Sequence, residues 1–258
     1  MKRIAVVFAI VLCFASLGWS QTVTTDDLKK TIDSFNEGQK AILKELQEIH
    51  KLLDQQVQAQ ARPAADTLPT APMDVAKEPF KGSPNAKVAV IEFSDFQCPF
   101  CGRYDKDVYP QIEKDYIVTG KIKYVWRDYP LDFHQNAEKA AEAAHCAGEQ
   151  GKFWEMHDRL FADQQAISAA DLPKHAGALQ LNTSLFQQCL DSGRFAADIK
   201  KDIADAGTVG ISGTPSFLVG IVQPNGSVKI LKKLVGAKPY AEFKSALDSL
   251  LTPPTAPR

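Results

Sequence analysis

The sequence predicts an α/β domain preceded by a separate long helix. Three observations predict it. Two β-branched runs, residues 87–93 (KVAVIEF) and 121–127 (KIKYVWR), flank a helix-length segment at 99–115, the spacing of a βαβ unit. A helix-rich stretch without strand signals follows, and strand signals return at 216–222 and 227–231 around Pro224-Asn225-Gly226, where Asn-Gly is a strong hairpin signal. Between residues 21 and 58 the chain is rich in Lys, Glu, Gln and Leu and free of Pro, which reads as one uninterrupted helix.

At the N-terminus, Lys2 and Arg3 precede an apolar run over residues 4–17, and Gly18 and Ser20 place small residues before a cleavage point. The run is shorter than the roughly 20 residues that span a bilayer. Residues 1–20 are therefore expected to be a cleaved secretory signal, and the protein to be exported, in a bacterium to the periplasm. Cys13 leaves with the signal; Leu12 before it is the wrong residue for lipoprotein processing.

Within residues 21–58, apolar or core-like residues fall at Leu28, Ile32, Phe35, Gln39, Ile42, Leu46, Ile49, Leu53 and Gln56, a four-three alternation over four heptads. That is a coiled-coil seam, narrower than the stripe of a helix folded back on a domain. With Leu46 and Leu53 at one core position and Ile42 and Ile49 at the other, three or four strands are favoured over two, and Gln39 would fix register. A homo-oligomer, a trimer first, is expected. Residues 59–79 turn to Ala, Pro and Thr, with Pro63, Pro69, Pro72 and Pro79 interrupting any helix, and read as a semi-extended linker.

The α/β domain is expected over residues 80–251, with a helical insertion at about 134–207 and a tail at 252–258. Inside the insertion, helices are predicted over the Ala-rich residues 136–147, through Phe153, Met156, His157, Leu160 and Phe161, and after Ser168, Asn182 and Ser192. Pro239 opens a last helix.

Composition narrows function. The chain has 258 residues and 45% hydrophobic residues, ample for a packed core, and Lys+Arg 30 balances Asp+Glu 31. Without a basic excess, nucleic acid is excluded as an expected partner. After the signal four cysteines remain, Cys98, Cys101, Cys146 and Cys189, an even number that suggests disulfides in an exported protein. Cys98 and Cys101 are near enough to pair locally, leaving Cys146 with Cys189 as a structural disulfide; two buried free thiols are the competing reading.

Cys98-Pro99-Phe100-Cys101 follows a strand and opens a helix. A thiol in the first helical turn meets unpaired N–H groups and the positive end of the helix dipole, so Cys98 is expected to be the nucleophilic thiolate. Cys101, three residues on, is placed to attack a mixed disulfide and resolve it. A zinc site needs four ligands, and neither a second C-x-x-C nor a paired His motif is present, so no metal and no cofactor beyond the disulfide itself is expected. Gly213-Thr214-Pro215 stands just before a strand; a cis Thr-Pro bond there would turn the Thr214 backbone outward as a template for an extended peptide. Glu92 lies inside a strand that should be buried, so it is expected to have a raised pKa or a partner. Phe96, Phe100, Tyr104 and Tyr109 are candidates to line an apolar groove, and His145 and His157 read as packing or surface residues rather than ligands.

Residues 92–101 (EFSDFQCPFC), Gln150-Gly151-Lys152-Phe153-Trp154 in the helical insertion, and Gly213-Thr214-Pro215 together resemble the DsbA family of thioredoxin-fold disulfide oxidoreductases. The resemblance covers roughly residues 80–251. It implies a thioredoxin fold with an inserted helical domain, a substrate groove beside a cis proline at Pro215, and a proton-moving role for Glu92. Lys123 on the following strand is then the candidate charge partner of Glu92. Implied partners are unfolded or cysteine-containing secreted proteins and a membrane redox partner. Three departures stand out. Phe100 replaces the His between the cysteines of the best-known oxidase, which implies a less acidic Cys98. Thr214 resembles isomerase and reductase members. The N-terminal helix resembles that of disulfide isomerases and of the trimeric suppressor-of-copper-sensitivity proteins. The oligomeric isomerase or reductase is thus the nearest alternative. A chaperone or Cu(I) binder using the two thiolates is the alternative of another class.

Overall fold

A computed structural model describes residues 25–60, 68–69 and 71–252, so the expected signal at 1–20, most of the linker and the end of the tail lie outside the described residues. The chain forms two compact units, residues 1–65 and 66–258.

In the first unit, helix α1 runs Thr25–Gln60 without a break. Ile32, Phe35, Ile42, Leu43, Leu46 and Ile49 are all at least half exposed on the single chain. The side chains of Leu28, Leu53 and Gln56 lie outside the described set.

The second unit is built on strands β1 (Phe80–Gly82), β2 (Val88–Ser94), β3 (Ile122–Asp128), β4 (Ser216–Val222) and β5 (Val228–Val235). Their order across the sheet is β1-β3-β2-β4-β5; β2 and β3 run parallel and every other pairing is antiparallel. All seven residues of β2 are buried, which is why KVAVIEF reads as a continuous apolar run: it is central and covered on both faces. One face packs Val88, Val90, Ile122, Tyr124, Phe217 and Phe243; the other packs Ala89, Ile91, Phe93, Val125 and Leu218. Across β4 and β5 the backbones close so tightly that a Cβ on Gly220 would lie 2.1 Å from the Lys229 carbonyl oxygen, so only glycine fits there.

Between β2 and β3 lies α2 (Pro99–Asp107), then α3 (Tyr109–Ile112) and one π-helical turn, Glu113–Ile117. The single helix expected over 99–115 is divided because Pro110 has no N–H to continue the ladder. Helices α4 (Ala137–Gly148), α5 (Phe153–Ala162), α6 (Leu172–Ala178), α7 (Thr183–Ser192) and α8 (Ala196–Thr208) form the insertion between β3 and β4, and α9 (Tyr240–Leu251) closes the chain from Pro239. Asn182 caps α7 by accepting from Leu185 N at 3.1 Å. Ser168 does not open a helix: it donates to Asp171 in a turn, and α6 starts at Leu172, where Pro173 suits a first helical turn. Ser192 ends α7 instead of starting α8, because Gly193, at φ 59°, terminates the helix.

Cys146 on α4 and Cys189 on α7 are disulfide-bonded, with Cα atoms 5.8 Å apart, inside the insertion's apolar cluster. A cross-link spanning 43 positions removes on the order of 4 kcal/mol of unfolded-chain entropy. Arg127, fully buried near the C-terminal end of β3, pairs with Asp202 at 2.7 Å, with Asp205, and with Glu78 at 3.6 Å. It fastens β3 to α8 and to the segment before β1.

The domain begins earlier than residue 80. Met73 exchanges backbone hydrogen bonds with Val228 at 2.9 and 2.8 Å, and Val75 is fully buried. The prolines at 69, 72 and 79 prevent a helix but not an extended strap laid against the sheet. Strand β1, too short to leave a sequence signal, was not foreseen. Strand β5 runs on to Val235 through Lys232 and Lys233, which an edge position tolerates.

Candidate active site

Strand β2 ends at Ser94, and the next four residues turn the chain into α2. Asp95 organises this turn. Its backbone carbonyl accepts from Cys98 N at 3.1 Å, its Oδ1 accepts from Gln97 N at 2.7 Å, and its Oδ2 accepts from Leu131 N at 2.9 Å and meets His134 Nδ1 at 2.7 Å. Gln97 Oε1 accepts from Asn136 N at 2.8 Å, so the 129–136 loop is stapled to the turn through Leu131, His134 and Asn136. Gln164, in the loop after α5, donates from Nε2 to the carbonyls of Phe96 at 2.8 Å and Cys98 at 2.9 Å. Gly102 leaves room for it: a Cβ there would sit 2.2 Å from Gln164 Oε1 and push the amide aside. Neither Gln164 nor Asp95 was singled out from sequence. A lone Gln in a loop carries no pattern, and Asp95 resembles any polar residue before a helix.

Cys98 is the N-cap of α2, with Pro99 at its first position, and both Cys98 and Cys101 are free and buried. The Thr214–Pro215 bond is cis, and the Thr214 carbonyl accepts from Cys98 Sγ at 3.6 Å. The two thiols are driven apart. Cys98 is lowered to about 6, first by the hydrogen bond from the Cys101 thiol, against the cost of burial, then by Thr214 and the N–H groups of Cys101 and Phe100. The Thr214 carbonyl opposes this, because an acceptor favours the thiol; the donors outnumber it. The Thr214 hydroxyl is buried, with no hydrogen-bond partner among the described residues. Cys101 is pushed well up, by burial first and then by its place beside Cys98. The Phe100 side chain gives no polar group to either sulfur. It is 52% exposed, with the Arg103 guanidinium 5.2 Å from its ring centre.

Beneath the cysteines, Glu92 is 2% exposed in the wall of the core. Burial raises it to about 7, against the hydrogen bond that Tyr124 Oη donates to Glu92 Oε2 at 2.5 Å. Tyr104, one turn after Cys101 on α2, meets Tyr124 hydroxyl to hydroxyl at 2.8 Å.

Lys123 is not the partner of Glu92. In the parallel register Glu92 stands beside Trp126 and Lys123 beside Ala89, and alternate residues of a strand face opposite sides of the sheet. Lys123 therefore points away, its Nζ 4.3 Å from the Phe80 ring centre, and Tyr124 occupies the place expected of it. Of the four aromatics expected to line a groove, only Phe100 is exposed. Phe96, Tyr104 and Tyr109 are core residues, Phe96 stacking on Trp126 at 4.8 Å. His145 bonds Asp128 at 2.6 Å, and His157 lies edge-on to Trp126 at 4.8 Å, both as packing residues.

The family model described as Thioredoxin matches residues 74–248. An Na(+)/H(+) antiporter NhaA 3 of Salinispora tropica is 38% identical over 68% of this chain, which spans about a quarter (26%) of that relative. Disulfide bond formation protein D of Bacillus subtilis is 28% identical over 67% of this chain and 77% of its own. Among solved structures, alpha-DsbA1 of Wolbachia pipientis superposes with a TM-score of 0.61 at 26% identity, covering 69% of this chain and 93% of its own. Among the described residues no helix is long and apolar enough to cross a membrane.

Proposed function

The chain belongs to the thioredoxin family, in its DsbA-like form with a helical insertion, and from that premise we propose that it is an exported thiol–disulfide oxidoreductase acting on cysteines of secreted proteins. The observation that carries the proposal is the opposed pair of thiols at the start of α2: Cys98 acidic and facing the Thr214 carbonyl, Cys101 buried and held protonated.

From the oxidised state, a substrate thiolate attacks Cys98 Sγ, the Cys98–Cys101 bond breaks, and Cys101 leaves as a thiolate that takes up a proton. A second substrate thiolate attacks its own sulfur in the mixed disulfide. The substrate disulfide forms, and Cys98 leaves as a thiolate stable at neutral pH. The two electrons now on the dithiol pass to a membrane redox partner. Glu92 supports the step at Cys101: at about 7 it both gives and accepts a proton near neutral pH. Pro99 and Phe100 set the geometry and apolar exposure of the pair, and Thr214 and Pro215 present backbone to an extended client.

A second reading, an oligomeric isomerase, is favoured by α1, whose apolar stripe is exposed on the single chain and has the heptad spacing of a multi-stranded coil. The test is reactivation of a scrambled-disulfide substrate by two forms, one starting at Gln21 and one at Asp66, which keeps Met73 and Val75. Reactivation by the long form alone makes this an oligomeric isomerase. Oxidation of a reduced substrate by both, without reactivation, makes it an oxidase. Exchange that survives Cys98→Ser overturns both.

A further inference from the structure

Two hydroxyls stand beside Glu92 where a cation was expected. Tyr124 Oη lies 2.5 Å from Glu92 Oε2, and the Tyr104 hydroxyl lies 2.8 Å from Tyr124 Oη. All three residues are at most 2% exposed, so water does not compete for these bonds.

The order of donors follows from the chemistry of the groups. An ionised carboxylate only accepts, so Tyr124 gives its single hydrogen to Glu92, and its oxygen accepts from Tyr104. The result is a polarised chain, Tyr104 to Tyr124 to Glu92, that crosses α2, β3 and β2. Hydrogen bonds aligned in one sense strengthen one another in a dry interior. Tyr104 stands one turn after Cys101, so the helix that carries the resolving thiol also carries the far end of the chain.

Neutral donors suit this acid. A cation in the place of Tyr124 would hold the carboxylate ionised, and burial without any donor would hold it protonated. A hydroxyl stabilises the charge without supplying one of its own, and the acid rests between, at about 7. The titratable groups around Glu92 are Tyr104, Asp105 and Cys101 on α2, Tyr109 on α3, Tyr124 on β3 and His157 on α5. From β4 and α9 come Phe217 and Phe243, which carry no charge. Of the titratable groups only Tyr124 makes a hydrogen bond to Glu92. The Tyr109 hydroxyl belongs to the same aromatic cluster, its ring centre 5.3 Å from that of Tyr124, and is buried without a partner.

We propose that Tyr124, braced by Tyr104, is the positioning residue of the buried acid: the two hydroxyls fix the Glu92 carboxyl and loosen its proton enough to serve Cys101 near neutral pH. The service to Cys101 rests on the oxidoreductase reading above; the hold on Glu92 does not.

The experiment titrates the Glu92 carboxyl carbon by NMR in the reduced chain starting at Gln21, with Glu92→Gln to assign the resonance. In the same proteins it follows single-turnover release of glutathione from its mixed disulfide with Cys98 over about pH 5 to 9. Tyr124→Phe should raise the Glu92 midpoint from about 7 by about 1 pH unit and carry the inflection of the release profile with it, slowing release several-fold at neutral pH. Tyr104→Phe should move both the same way by less. The double variant should go no further than Tyr124→Phe alone, because Tyr104 acts only through Tyr124. Tyr109→Phe, which removes a hydroxyl from the cluster but no bond to the acid, should leave the midpoint in place.

An unmoved midpoint in Tyr124→Phe overturns the proposal, and so does an equal shift in Tyr109→Phe, which would make the effect one of general polarity. If Tyr124→Phe does not fold, Tyr104→Phe decides, and a midpoint that stays in place overturns the chain. Midpoints that move while the release inflection stays overturn the service to Cys101. If they move and the unsubstituted chain releases no glutathione, the oxidoreductase reading has failed while the hold on Glu92 stands.

Discussion

Cys98 and Cys101 differ by three positions and by their surroundings, and the difference has a measurable form. In the reduced protein, alkylation of Cys98 should rise with a midpoint near pH 6, the value its donors give it, while Cys101 stays unreactive in the same range. A midpoint near 9, the ordinary value, would show that the donors around Cys98 do not act. Glu92 offers a prediction of opposite sense. Its folded pKa lies above the ordinary 4.5, so the folded state holds a proton that the unfolded chain has released. Stability is therefore greatest below about 4.5 and falls as pH rises toward about 7, then stays low. Glu92→Gln should stabilise the protein above neutral pH by as much as about 3 kcal/mol while slowing exchange. Unfolding curves at acid and alkaline pH check it: equal curves for the two proteins at alkaline pH would contradict the shift. The two cysteines and the buried acid were legible because each is an exception to its setting, a thiol pair at a helix start and a charge in an apolar run. The acid's partner was not legible. Which of two adjacent residues, Lys123 or Tyr124, shares a face with Glu92 depends on register between strands, and a shift of one residue exchanges the two faces.

At the scale of elements, the site is held by what lies outside the motif. Gln164 comes from the far side of the insertion to bind two carbonyls of the active-site turn, and Gly102 makes room for it. Gln164→Ala should cost about 1–2 kcal/mol of stability and slow exchange several-fold. Gly102→Ala should do much the same by pushing the amide away. The double substitution should cost little more than either alone, a non-additivity read from a double-mutant cycle. Additive losses would mean that the two positions act separately. The helices were foreseen in approximate place because their apolar periodicity and caps are local. Their breaks were less visible: Pro110 and Pro173 each moved a boundary by acting on the backbone of a neighbouring turn. Strand β1 and the strap at Met73 and Val75 escaped notice because three residues and one bridge carry no period.

The molecule as a whole joins a self-contained thiol domain to a helix that exposes its apolar stripe. A single helix in water gains little from such a stripe, and burying Ile42, Leu46 and Ile49 against copies of itself recovers about 25 cal/mol for each Å² covered. Ile42→Asp with Leu46→Asp should convert an oligomer into a monomer in sedimentation, without changing the alkylation midpoint of Cys98. An unchanged sedimentation coefficient would leave α1 another partner. The expectation of an oligomer rests on the heptad spacing of a Pro-free segment beside a Pro-rich one, and sedimentation is its test.

The two outer strands of the sheet bear on the proposed handling of unfolded chains. An open sheet edge invites any extended polypeptide to add itself as another strand. Here one edge, β1, is only three residues long, and the other, β5, carries Lys229, Lys232 and Lys233 and is occupied at its start by Met73. Client backbone finds no long template on either side. If the proposed clients are bound, their contact is then expected to centre on the sulfur and the few residues around it, with release following the chemistry.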